Sequence, residues 1–142
     1  VRKSQSFHPK FYFFDLGVKR AIERSLQDRF SKGSYSYGDA FEHFIILEFY
    51  RLNSYLGKDY HFSYFRTKEG QEIDLLLTRG KTTIAIEIKS KDKVNFDEVK
   101  KINSLANELG ATQKYYISND PHSTKVHDVH CLHWQKALLS IM

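Results

Sequence analysis

Gln71-Glu72-Ile73-Asp74-Leu75-Leu76-Leu77, followed through Arg79-Gly80-Lys81-Thr82 by Thr83-Ile84-Ala85-Ile86-Glu87-Ile88-Lys89, is the stretch on which the fold turns. Both apolar-rich runs read as strands. Gly80-Lys81 suits a two-residue type II′ turn, with Gly supplying the positive φ of the first central position. That register sets Asp74 opposite Glu87, Glu72 opposite Lys89 and Leu76 opposite Ala85. Side chains alternate across a strand, so these six share one face. The other face is Ile73, Leu75, Leu77, Ile84, Ile86 and Ile88, which is wholly apolar.

Like charges directly opposite each other destabilise a strand pair. Asp74 and Glu87 therefore need a cation between them, or one of them must hold a proton. Mg²⁺ takes oxygen ligands and often uses only one or two carboxylates plus substrate phosphates. Lys89 points to the same side as Glu87. It is placed to hold or help deprotonate a water, or to stabilise charge developing on a phosphate. Asp, Glu-x-Lys and a divalent ion make a sufficient kit for phosphodiester hydrolysis. The plainer reading is a solvated face of an antiparallel hairpin. Glu-x-Lys alone arises by chance at roughly one position in a few hundred, so context has to carry it.

The chain has 142 residues, 41% of them hydrophobic, which fits one domain. Eleven Phe and nine Tyr supply a sizeable core. No apolar run approaches the ~20 residues of a membrane helix; the nearest is Phe44-Ile45-Ile46-Leu47. Val1-Arg2-Lys3-Ser4-Gln5-Ser6 lacks the apolar stretch of a signal peptide, and the single Cys131 excludes an internal disulfide. A reducing, cytoplasmic setting follows. The chain begins with Val1, which points to a fragment of a longer protein or a processed chain. The net charge of +5 permits a nucleic-acid partner without demanding one. Lys89, Lys91, Lys93, Lys100 and Lys101 cluster after the second strand, as a solvated face or as a rim that tracks phosphates.

Outward from the hairpin, Pro9-Lys10-Phe11-Tyr12-Phe13-Phe14 reads as a short buried strand or extended segment. Asp15 then N-caps a short helix to about Ser25. Residues 28–37 read as a loop. Gly38-Asp39 opens a long helix to about Leu56, stopped by Gly57, with Phe41, Phe44, Ile45, Phe49, Leu52 and Leu56 as its apolar stripe. Residues 60–66 read as a strand and Lys68-Glu69-Gly70 as a turn. After the hairpin, Asn95 or Asp97 starts a helix to about Leu109, closed by Gly110, with Val99, Ile102, Leu105, Ala106 and Leu109 inward. Lys114 to Ser118 reads as a strand, Asn119-Asp120-Pro121 as a turn, residues 126–132 as a last strand and His133 to Ile141 as a last helix. The sum is an α/β sandwich, a central mixed sheet flanked by helices.

Two carboxylates of the long helix, Glu42 and Glu48, fall near its stripe. At ~100° per residue, Glu48 sits near the middle and Glu42 at the edge. Each is either a structural ion pair or a further ligand for a metal or water.

Glu42, Asp74, Glu87 and Lys89 follow the order and element types of the PD-(D/E)xK nuclease superfamily, and the chain resembles it. Gly38-Asp39-Ala40-Phe41-Glu42-His43-Phe44, Tyr64-Phe65-Arg66-Thr67, Gly70-Gln71-Glu72-Ile73-Asp74 and Ile86-Glu87-Ile88-Lys89-Ser90 are more specific. With Pro9-Lys10-Phe11-Tyr12-Phe13-Phe14-Asp15-Leu16-Gly17, they resemble the poorly characterised domain at the C-terminal end of many prokaryotic AAA-type ATPases. The resemblance spans nearly all 142 residues. It implies a restriction-endonuclease-like fold and a Mg²⁺- or Mn²⁺-dependent endo- or exodeoxyribonuclease acting on DNA. Asp74 and Glu87 would hold the metal with help from the Ile88 carbonyl, Lys89 would orient the attacking water, and Glu42 would bind a second ion or a water. Glu48 is the secondary candidate. Ile73 stands where the superfamily's name has Pro, and the helix after Lys89 lacks the Gln-and-Tyr signature of the exonuclease branch. No Gly-x-x-x-x-Gly-Lys-Ser/Thr loop is present, so an ATPase part, and ATP with it, would lie upstream of Val1.

His127, His130, Cys131 and His133 match no standard zinc spacing and read as strand-edge packing. Tyr12, Tyr35 and Tyr37 suit base stacking or loop packing, and His43 and His61 suit packing or proton transfer. No Gly-x-Ser-x-Gly elbow is present. Two rivals to a nuclease stand: a non-cleaving module of an ATPase that binds nucleic acid or protein, and a structural domain in which Asp74, Glu87 and Lys89 form a surface salt-bridge cluster. Homo-oligomerisation is open.

Overall fold

Among the described residues, ten elements follow in the order α1 (Leu16–Ile22), α2 (Tyr35–Tyr55), β1 (His61–Arg66), β2 (Glu72–Arg79), β3 (Thr82–Ile88), α3 (Phe96–Glu108), β4 (Gln113–Ser118), β5 (Thr124–Val126), β6 (Val129–His133) and α4 (Trp134–Ile141). The structure, a computed structural model, describes residues 9–142; Val1 to Ser6, read above as lacking a signal sequence, lie outside the described residues. The six strands form one mixed sheet in the order β1-β2-β3-β4-β6-β5. The pairs β3–β4 and β4–β6 are parallel and the others antiparallel.

The hairpin has the register that its turn dictates. Leu75 pairs with Ile86, Leu76 with Ala85 and Leu77 with Ile84. Gly80 carries the positive φ of 57° and Lys81 does not, as a type II′ turn requires. Regularity ends at Asp74. Against β1, Leu76 pairs with Ser63 but Ile73 pairs with Phe65, so β2 holds one extra residue at Asp74-Leu75. This is a β-bulge, and a bulge rotates the residues beyond it by one step.

That rotation corrects the two-face reading of the hairpin. Leu75, Leu77, Ile84, Ile86 and Ile88 pack in one core with Ile45, Ile46 and Phe49 of α2 and Ala137, Leu138 and Ile141 of α4. Ile73 joins the opposite core, with Ala85 of β3, Val99, Ile102, Leu105 and Ala106 of α3, Tyr116 and Cys131. Helices cover both faces, so the charged end of the hairpin is no solvated face: Asp74 is only 6% exposed.

Local signals set the other boundaries. Asp15 caps α1 by accepting from the Val18 N–H, and Asn95 caps α3 by accepting from Asp97 and Glu98. Gly57 and Gly110 follow α2 and α3 with left-handed φ, the usual C-terminal stop. Three expectations are corrected. The long helix starts at Tyr35 under a Ser34 cap, inside the expected loop. Its stripe turns to bury Ile46 and Leu47 and leaves Leu56 exposed. The single last strand is instead the hairpin β5–β6, with His127 turning the chain at φ 52°.

Residues 9–14 form no strand, and Phe11 and Phe14 lie in solvent. Lys10 and Tyr12 are the residues that turn inward. The segment is strapped across α2: His43 Nε2 is 2.7 Å from the Phe13 carbonyl, and Arg51 donates to the Phe14 carbonyl at 3.0 Å. His43 is thereby a buried packing and hydrogen-bonding residue. Among the described residues, no helix is long and apolar enough to cross a membrane.

Candidate active site

The bulge turns the Asp74 side chain toward β3. Its Oδ2 accepts the Ile88 backbone N–H at 2.8 Å. Asp74 therefore does not face Glu87 as a ladder pair, since the regular pairs stop at Leu75–Ile86. The two carboxylates instead meet through Lys89, whose Nζ lies 2.5 Å from Glu87 Oε1 and 3.5 Å from Asp74 Oδ2. The same Nζ donates to the Ile88 carbonyl at 3.3 Å. Three oxygens from Asp74, Glu87 and Ile88 thus converge on one cationic atom.

The electrostatics follow from burial. Loss of water raises the Asp74 carboxyl above its usual range, and Lys89 with the Ile88 N–H only partly opposes this. Burial, then the neighbouring Asp74, push Glu87 up to about 8. Burial works against the Lys89 charge, but Asp74 and Glu87 outweigh it and hold the ammonium above its ordinary range. Among the described residues Glu87 Oε2 is buried with no hydrogen-bond partner, an orphan that an interior tolerates only at a cost.

Glu42 stands in a neighbouring cluster. Its Oε1 accepts from Lys10 Nζ and from the Tyr12 hydroxyl, each at 3.1 Å. Lys10 also ion-pairs with Glu72, which the bulge has turned away from Lys89. Glu72 opposite Lys89 is thus corrected to Glu72 beside Lys10. Glu42 raises the Asp74 pKa through space, so the clusters are neighbours. Yet among the described residues no three His, Cys, Asp or Glu side chains gather closely enough to hold a metal. The donor set at one point is two carboxylates and a carbonyl. Glu48 pairs with Arg51 at 2.7 Å, as the structural alternative for it held.

Sequence reasoning missed Lys10 and the pairing of Tyr12 with Glu42, whose signal was the alternation of Lys10 and Tyr12 with Phe11 and Phe13. It also missed Glu98 of α3, which accepts from Lys91 at 2.5 Å and from the Tyr116 hydroxyl at 2.6 Å. Lys93, Lys100 and Lys101 are exposed, while Lys91 is tied to Glu98. Tyr37 stacks on Phe41 at 6.5 Å and Tyr35 stands in solvent. Cys131 is buried in the α3-side core, and His130 stacks on Tyr115.

A cleft of about 440 Å³ opens beside Asp74, between the 10–14 strap, α2 and β1. The ion-pair distances that a structural salt-bridge cluster requires are present, but the cluster is buried and a cleft adjoins it.

No curated protein matches the chain. The family model described as a domain of unknown function, DUF4143, matches residues 37–136, from α2 into α4, and takes in Glu42, Asp74, Glu87 and Lys89. That is well over half of the 142 residues, and the chain belongs to the DUF4143 family.

Proposed function

We propose that this domain is a divalent-metal-dependent nuclease of the PD-(D/E)xK type that hydrolyses DNA phosphodiester bonds. The observation that carries the reading is the convergence of Asp74, Glu87 and the Ile88 carbonyl on the Lys89 ammonium. Those atoms are hard oxygen donors of the kind Mg²⁺ and Mn²⁺ take. The fit is supported by the orphaned Glu87 Oε2 and by two buried carboxyls that hold protons too readily. A divalent ion is the natural replacement for those protons.

Asp74, Glu87 and the Ile88 carbonyl would hold the ion. When bound, it would polarise the phosphate and lower the pKa of a coordinated water. Asp74 is oriented for this by the Ile88 N–H, which fixes one oxygen. Lys89 gives up its carboxylate contacts and donates to the attacking water or to a non-bridging phosphate oxygen. A charged ammonium is a donor and not a base, so its task is orientation and charge stabilisation. Glu42, steadied by Lys10 and Tyr12, would accept from a water or help to hold a second ion. The exposed Lys93, Lys100 and Lys101 would track the DNA backbone.

Cleavage of plasmid or linear DNA should need Mg²⁺ or Mn²⁺ and vanish in Asp74→Ala and Lys89→Ala. Folded protein that cuts no DNA form with either ion overturns the reading.

One observation favours the rival of a non-cleaving binding module: Lys89 and Lys10 already neutralise the carboxylates. Divalent-ion heats that are unchanged in Glu87→Ala would support that module. In either case the resemblance to the C-terminal domain of AAA-type ATPases supports a place after an ATPase part in a longer chain, where ATP would bind.

A further inference from the structure

We infer that the cleft beside Asp74 is a pocket for one unpaired nucleotide of a DNA strand, so that the domain acts on single-stranded or frayed DNA. This rests on the nuclease reading above and specifies its substrate. The cleft holds about 440 Å³, within the span of small-ligand sites. Five aromatic rings wall it: Tyr12 and Phe14 of the strap, Tyr50 of α2, and Phe62 and Tyr64 of β1. Phe14 and Tyr50 stand at its mouth, 78% and 58% exposed. Solvent-facing rings around a concavity are what a base uses for stacking, whatever its identity.

Two polar features fix which end of the nucleotide lies where. Asp74 lines the cleft and also belongs to the Lys89 cluster, so the base pocket and the phosphate chemistry share a wall. Lys10, 5.2 Å above the Tyr64 ring, lines the same cleft, with its charge shared between Glu42 and Glu72. The phosphate therefore lies toward Asp74, where Lys89 and the ion of the nuclease reading would meet it, and the base toward Tyr50 and Phe62. A base still paired in a duplex cannot leave its stack to enter without the cost of unpairing, which is the source of the strand preference.

The test uses an oligonucleotide carrying the fluorescent base 2-aminopurine, titrated in EDTA so that no cleavage occurs. The wild-type chain should quench the single strand and bind it at least tenfold more tightly than a blunt duplex. Phe14→Ala/Tyr50→Ala, which alters two exposed side chains, should lose about tenfold in single-strand affinity while keeping the Mn²⁺ heats of the wild type. Equal affinity for single strand and duplex, or a double variant with unchanged affinity, overturns the pocket. In that case Mn²⁺ heats lost in Glu87→Ala still leave the nuclease reading standing. Quenching and strand preference without any Mn²⁺ heat uphold the pocket and remove the nuclease. Substitutions that turn a dimer into a monomer and leave DNA affinity alone make the cleft a self-association surface and overturn the assignment.

Discussion

Replacing Glu87 by glutamine should make the metal-free protein more stable at neutral and alkaline pH. Glu87 is buried, one oxygen faces Lys89 and the other has no hydrogen-bond partner among the described residues. Its carboxyl titrates near 4.5 when unfolded and at about 8 in the fold, because burial and Asp74 disfavour its charge. The folded state thus binds the proton more tightly. Stability is fully present below 4.5, is lost as pH rises through about 8, and is level beyond. At ~1.4 kcal/mol per pH unit, that interval caps the loss at about 5 kcal/mol. Asp74 is shifted in the same direction and adds to the slope. The amide of Glu87→Gln does not titrate, so the variant should show a flatter profile and exceed wild type above pH 7. The assay is urea unfolding in EDTA from pH 4.5 to 8.5, followed by fluorescence of Trp134, the chain's one tryptophan. Parallel profiles for wild type and variant would refute the reasoning. Mg²⁺ added at pH 8 should restore stability to wild type by binding the folded state alone, and should do less for the variant.

Lys10→Ala should destabilise the fold by about 1–3 kcal/mol, since it leaves Glu42 and Glu72 half-buried without their shared cation; denaturant titration would read it, and Lys10→Arg should recover part of the loss. Gly80→Ala meets open space but a φ of 57°, so about 1–2 kcal/mol of backbone strain is expected without any steric clash; thermal melts would register it as a lower Tm. Asn95→Ala should cost about 1 kcal/mol by freeing two N–H groups at the start of α3, seen as a lower urea midpoint with an unchanged slope.

The hairpin register was legible because its determinants are local. Gly80 selects the turn, and the turn sets every pair out to Leu75–Ile86. Helix α3 was legible for the same reason, being bounded by Asn95 and Gly110. The bulge at Asp74 was not, because it is defined against Ser63 and Phe65 of a different strand. A single extra residue there swapped the faces of Ile73 and Glu72 and turned Asp74 onto the Ile88 N–H of β3. The partners of Lys10 lie on α2 and β2, so nothing near it in sequence showed that a lysine amid phenylalanines would turn inward. Strand β5, three residues long, is too short for a periodic signal. Asp74, Glu87 and the Ile88 carbonyl nonetheless converge on Lys89. Glu42 instead shares Lys10 with Glu72, and Glu48 pairs with Arg51.

The most direct measurement is a crystal structure of the chain soaked in Mn²⁺, with an anomalous difference map at the manganese edge. The account predicts a peak at ~2.1 Å from oxygens of Asp74, Glu87 and Ile88, with the Lys89 ammonium moved off both carboxylates. A map without such a peak, and with Lys89 still bridging Asp74 and Glu87, would contradict it.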